Sequence, residues 1–383
     1  MWPYWAMFAF PSLAALAASG ADGVPAFRPR PASTYFAWSL VWLAWTLLIG
    51  YRFQVGGDWQ NYARFLGEVR GVEFWDVFQL IDPSYYALNW ISLHMGWDIY
   101  GVNLIGAAIF AFGLVVFCQN QPWPWLALAV SVPYLVIVVG MGYSRQGIAL
   151  GLEMLGLVAL ARKSTFKFVL CVAFAATFHR SAILLIPVAA LAGSSNRLLT
   201  MAWVGATAVV LYYLLLEKSA DNLVSTYVGG AVQSEGAAVR LLMNALPGAA
   251  FLRWRARFSF SAAEESLWKW FSIIALAQFG GFLIMPSAST ALDRMALYML
   301  PLQIVVFARL PYVFGAHELP GRGRYGVVAS HDPTRPLPAS KDAAALTAAT
   351  LFYYGLVMAV WLNFASNVYA WVPYNFYPLV LAF

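Results

Sequence analysis

Eight ionisable residues sit at or just inside the ends of long apolar runs: Arg52, Asp58, Asp82, Arg145, His179, Arg180, Asp293 and Arg294. A charge at such depth is costly, so by default it marks function. Several of the eight are arginines, whose guanidinium forks match phosphate or diphosphate oxygens two at a time. Asp58 and His179 are of the right type to take a proton from a hydroxyl. No His, Cys or carboxylate spacing makes a good divalent-metal cage, so arginine is the expected phosphate-binding group, with no cofactor.

Each position also has a plain structural role to weigh. Asp58 follows Gly56-Gly57, which permit a sharp turn aiming it at the membrane mouth; it could equally cap a helix starting at Trp59. Arg52 is a phosphate ligand or an interfacial anchor. Asp82-Pro83 is a routine helix opening, or a carboxylate that binds a sugar hydroxyl. Arg145 has no acid beside it in the sequence and ranks first among the anion ligands. Glu153, eight residues further, pairs with a basic group or stays protonated. Asp293 and Arg294 could neutralise each other, and Arg294 shares a helix face with Tyr298.

These residues need a membrane frame to hold them. The 383-residue chain is 62% apolar and only 10% charged, and apolar runs of spanning length recur along it. Spans must satisfy their own backbone hydrogen bonds, which makes them helices. The expected fold is an all-α polytopic membrane protein with about 12 transmembrane or half-membrane helices. Candidate spans are 1–18, 33–51, 99–117, 122–141, 145–161, 165–178, 181–192, 198–216, 238–252, 268–286, 291–309 and 346–364. With both termini outside, 15 of the 23 Lys and Arg face the cytoplasm, as the positive-inside rule requires. That accounts for the net charge of +6 without any nucleic-acid partner.

The region 165–192 decides the topology. As one helix it would bury His179-Arg180 near mid-membrane and turn the Arg253–Arg257 cluster outward. As a hairpin it puts both residues at an outer tip and keeps the cluster inside, which is the preferred expectation. The eight charges then share the outer face.

One domain, 1–383, is expected. Within it, 52–98 reads as outer interfacial helices and 217–240 as an outer loop. Residues 310–345 read as a cytoplasmic linker rich in Gly, Pro and Arg near anionic lipid. The tail from Asn367 should re-enter or lie in the interface. Met1–Ala18 mimics a signal peptide but lacks a basic start, and is expected to remain as the first helix. Cys118 and Cys171 read as small core thiols. No internal repeat is visible, which argues against an inverted-repeat transporter.

The blocks Arg52…Gly56-Gly57-Asp58…Tyr62, Asp82-Pro83, Arg145-Gln146-Gly147-Ile148, Phe178-His179-Arg180-Ser181-Ala182, Arg294…Tyr298 and Trp371-Val-Pro-Tyr374 come in this order. Together they resemble the EpsG family of bacterial exopolysaccharide proteins, related in role to Wzy-type polymerases of capsule and O-antigen. The resemblance spans about residues 50–375. Asp82 departs from it, where glutamate is expected more often, as does the long linker before the last span.

The resemblance implies a GT-C-like glycosyltransferase of the bacterial cytoplasmic membrane, acting on its outer face. Donor and acceptor would be oligosaccharides on undecaprenyl diphosphate, with membrane lipid around them and a chain-length regulator protein as a further partner. Arg145, Arg52, Arg180 and Arg294 would supply the diphosphate ligands, and Asp58, then His179, the base. Asp82, Tyr62 and Tyr298 would contact sugar, and Trp59, Trp75, Tyr85 and Tyr86 could stack on it. Two other classes fit an outer polar site: a lipid-linked oligosaccharide flippase or exporter, and a membrane acyltransferase that decorates polysaccharide.

Overall fold

A computed structural model of the chain describes residues 1–20, 32–191, 197–211, 236–315 and 341–380. The described residues are helical, and the one strand-like pairing among them is an isolated bridge between Arg52 and Phe376. The first helices are α1 (Trp2–Gly20) and α2 (Ala32–Gly50), which carry no charge. Next come α3 (Trp59–Glu68), a 3₁₀ turn (Asp76–Gln79), α4 (Pro83–His94) and α5 (Asp98–Gln119). The chain continues through α6 (Pro124–Ser131), α7 (Ser144–Ala161), α8 (Thr165–Phe178), α9 (Ile186–Leu191) and α10 (Arg197–Leu211). Then follow α11 (Ala237–Trp254), α12 (Ala262–Ile284), α13 (Ser289–Ala296), α14 (Leu300–Phe307), α15 (Leu310–Gly315), α16 (Lys341–Phe364) and α17 (Tyr377–Val380).

Among the described residues, four stretches are long and apolar enough to cross a bilayer: Asp98–Gln119, Ala262–Ile284, Pro286–Phe314 and Lys341–Phe364. Tyr35–Gly50, Pro124–Gly140 and Thr165–Phe178 are apolar but shorter. The chain is thus a multi-helix membrane protein. The expected outer loop falls mostly at 212–235 and the expected linker mostly at 316–340, outside the described residues.

The frame of the site is α7, packed against α5 and α8, with α2 packed on α5. Close approach is built into the sequence: a side chain at Gly113 of α5 would collide with the Gly151 carbonyl of α7. With lipid as apolar as the side chains, such tight backbone packing is what holds membrane helices together. After α6 the chain widens into a π-helix, Val132–Gly140, which begins where Pro133 removes a backbone donor. Met141 and Gly142 stay helical, and the chain breaks at Tyr143 (φ −125°, ψ 66°), which sets Ser144 and Arg145 at the head of α7.

The 165–192 region is broken, not continuous. His179 is extended (φ −153°, ψ 102°), and Arg180–Leu185 forms a 3₁₀ turn. The residues of α9 then contact α8, which a straight helix could not achieve. The break puts His179 and Arg180 at a tip.

The 52–98 segment, expected as outer interfacial helices, packs onto the bundle through α4. Tyr85, Tyr86, Ala87, Leu88, Asn89 and Ser92 of α4 are buried against α3, α5 and α8. Trp75, Phe78, Ile81, Ile91, Met95 and Trp97 are exposed.

Candidate functional site

The Gly56-Gly57 turn sets the position of Asp58. Gly56 has φ +108°, and a Cβ there would sit 2.5 Å from the Met141 carbonyl oxygen. Only glycine fits both the conformation and the space. The loop is locked from above by the tail: Gly56 N–H donates to the Ala370 carbonyl (2.7 Å) and Phe53 N–H to that of Asn375 (2.9 Å). Trp371 is buried beneath, its indole donating to the Ile137 carbonyl at 2.9 Å. Asp58 precedes α3 but makes no capping bond; its carboxylate accepts only from Asn61 Nδ2, at 3.3 Å. It is half-buried and close enough to Tyr62 and Tyr143 to act on both phenols. Burial and that carboxylate push the Tyr62 phenol up to about 12.

Across the site, Asp82 joins three elements. Its Oδ2 accepts from Arg145 Nη1 at 2.7 Å, and its Oδ1 from the Arg180 backbone N–H at 3.3 Å. The carboxylate is buried and caps nothing in its own helix. Burial pushes it up, while Arg145 and the Arg180 amide pull it back. Arg145 also lies over the Phe65 ring, 4.4 Å from its centroid. The Arg145 Nε and Arg180 Nη1 are buried and make no hydrogen bond. His179 sits beside them with Nδ1 likewise unpartnered. Burial, reinforced by the charges of Arg145, Arg294 and Arg180, holds its imidazole far below the ordinary histidine range, at about 3.

The third wall is the C-terminal half of α13. Asp293 accepts a two-pronged ion pair from Arg240 of α11, at 2.6 and 2.8 Å. Arg294 instead lies over the Tyr143 ring at 4.4 Å, and its carbonyl accepts from Gln146 Nε2 at 2.9 Å. Tyr298 is buried and shares a 2.9 Å hydrogen bond with Ser181.

A family model described as the EpsG family matches residues 35–318, well over half of the chain. The chain belongs to the EpsG family. Comparisons with curated proteins and with solved structures returned no match. The family match takes in Asp58, Asp82, Arg145, His179, Arg180 and Arg294. It ends before the Trp371-Val-Pro-Tyr374 block, so the expected resemblance through about residue 375 is shortened.

Within this EpsG-family frame the site residues fall into two groups. Asp58, Tyr62, Arg145, His179, Arg180 and Arg294 cluster: Tyr62 lies within electrostatic reach of Asp58, Arg145 and Arg294, and His179 within reach of Arg145, Arg180 and Arg294. Arg52 also lies within electrostatic reach of Tyr62, but it is 1% exposed and its guanidinium donates to the Ile49 and Val55 carbonyls, Asn103 and Ser144. Tyr298 and Asp82, offered as sugar contacts, are buried, as are Tyr85 and Tyr86.

Two sequence expectations of this EpsG-family chain are corrected by its packing. Arg145 does have an acid beside it, because the fold brings Asp82 from 63 residues away. Asp293 and Arg294 do not neutralise each other, because adjacent helical residues point apart; the partner is Arg240. Arg240 was not singled out in the sequence, where it stands near the start of an apolar run. Among the described residues there is no group of three His, Cys, Asp or Glu able to hold a metal ion.

Proposed function

We propose that this EpsG-family protein is a polysaccharide polymerase of the cytoplasmic membrane, working at its outer face. It transfers a growing glycan from undecaprenyl diphosphate to a sugar hydroxyl of another lipid-linked repeat unit. The observation that carries this reading is the cluster itself: three arginines facing a half-buried carboxylate and a histidine, at the ends of apolar helices. Such a cluster suits an anionic head group whose apolar tail stays in lipid.

In the proposed reaction the acceptor oxygen attacks the anomeric carbon and the bond from that carbon to the diphosphate oxygen breaks. The diphosphate leaves on its lipid and the hydroxyl proton passes to a base. Arg145, Arg294 and Arg180 would stabilise the charge that develops on the leaving group. Asp58 is the first choice for the base. His179, held at about 3, accepts a proton poorly while three guanidinium groups act on it. A bound diphosphate would offset those charges and raise its basicity, which keeps it as second choice.

The test is a deletion strain. Accumulation of single lipid-linked repeat units on the outer leaflet supports polymerisation. Units trapped on the cytoplasmic leaflet would indicate a flippase, and loss of acyl groups at normal chain length an acyltransferase.

A further inference from the structure

Arg52 is a cation enclosed in the protein. Four tyrosine hydroxyls, of Tyr62, Tyr85, Tyr374 and Tyr4, lie close enough to bear on it, and none of its hydrogen-bond partners is a carboxylate. Its hydrogen-bond partners are all neutral: the carbonyls of Val55 (3.2 Å) and Ile49 (2.6 Å), Asn103 Oδ1 (3.1 Å) and Ser144 Oγ (2.6 Å). The carbonyl end of α2 offsets part of the charge, since it carries the negative end of a helix dipole. Among the described residues no ion pair supplies the rest, and an uncompensated buried ion is strongly destabilising.

A small cavity adjoins this guanidinium, walled by buried residues that include Asn103, Gly106, Gly140 and Ser144. Its free volume is about 10 Å³, the scale of one water, so a halide would have to press its walls slightly apart. The side chains around it supply donors. Arg52 Nη1 keeps one N–H beyond its bond to Ile49, and Asn103 Nδ2 is buried with no acceptor at all. The amide cannot simply be turned round, because Asn103 Oδ1 accepts from both Arg52 and Ser144 (3.3 Å). Beyond Ser144, the remaining walls are Gly, Ala, Phe and Ile, which bring no side-chain acceptor for the hydrogens of a water. Donors in excess beside a fixed positive charge are the chemistry of a monovalent anion.

We propose that this cavity binds a single halide ion, chloride in the cell, as the buried counter-ion of Arg52. The ion would sit where α2, α5 and the head of α7 meet, behind Ser144 and one residue from Arg145. It would neutralise the frame of the outer site without touching a substrate. The proposal does not depend on the polymerase reading.

The test uses the full-length protein in detergent, with thermal unfolding followed in sodium chloride and in sodium gluconate at equal ionic strength. Chloride should raise the midpoint by at least about 2 °C, with saturation, as a ligand bound only by the folded state does. Asn103→Asp keeps the acceptor oxygen and supplies the negative charge covalently, so its midpoint should no longer respond to chloride. Crystals soaked in bromide should show an anomalous peak within hydrogen-bond reach of Arg52 and Asn103. A wild-type midpoint indifferent to the anion, together with no bromide peak, overturns the proposal and leaves a water in the cavity.

Discussion

Asp82 and Arg145, 63 residues apart, meet in a 2.7 Å ion pair, and the same carboxylate holds the Arg180 amide at the tip of the broken 165–192 segment. One buried acid therefore fixes the arginine at the head of α7 and the helix break that carries His179. This makes Asp82 a positioning group. Asp82→Asn preserves the shape and removes the charge, leaving Arg145 partly buried without its partner. We expect a stability loss of about 3 kcal/mol, near the low end for breaking a buried pair, because Arg145 keeps some solvent contact. Denaturation of the purified variant in detergent measures it, and a loss below about 0.5 kcal/mol would mean that the pair is not structural.

The arginine itself should be sensitive to geometry as well as to charge. Arg145→Lys retains a cation but loses the planar fork and its stacking on Phe65. Turnover of lipid-linked repeats should fall about 100-fold or more, the usual cost of one lost donor to a developing charge. Full activity in the lysine variant would remove Arg145 from diphosphate binding.

The loop that presents Asp58 has no room for change at Gly56. Gly56→Ala adds a methyl against the Met141 carbonyl at φ +108°. Strain of this kind costs on the order of 1–3 kcal/mol. The variant should be less stable and the loop displaced, so polymer yield should drop even in protein that folds. Equal stability and yield would show that the turn tolerates other backbone shapes.

The acid side of the pH profile carries a further test. His179 has a folded-state value near 3 against an ordinary 6.5, so the unfolded chain binds the proton more readily. Stability from this group is intact above about 6.5 and is lost as pH falls towards about 3. His179→Gln should flatten stability across that window. In the free protein, the pH dependence of kcat/KM should show no inflection near 6.5 from this imidazole. An inflection there that vanishes in the glutamine variant would contradict the low value.

Much of the frame was legible in the sequence. Apolar run length located α5, α12 and α16, and the charge balance across loops favoured the break at His179 over a straight helix. The residues of the cluster were found because charge inside apolar runs is costly. Their partners were hidden, because ion pairs are made across the fold: nothing near Arg145 points to Asp82, and nothing near Asp293 points to Arg240. Arg52 looked like a ligand for the same reason that Arg145 did; only the enclosing carbonyls of Ile49 and Val55 tell them apart. The tail had no charge to mark it, yet Trp371 and the Ala370 carbonyl hold the Asp58 loop in place.

The decisive measurement is polymerisation by the purified protein in liposomes, supplied only with undecaprenyl-diphosphate-linked repeat units. Wild-type protein should yield a ladder spaced by one repeat, with undecaprenyl diphosphate released at each step. Asp58→Asn should bind the same lipid but extend it about 100-fold or more slowly, as loss of a general base predicts. A folded wild-type protein that makes no ladder, or an Asp58→Asn variant that extends chains at the wild-type rate, would contradict the proposed site.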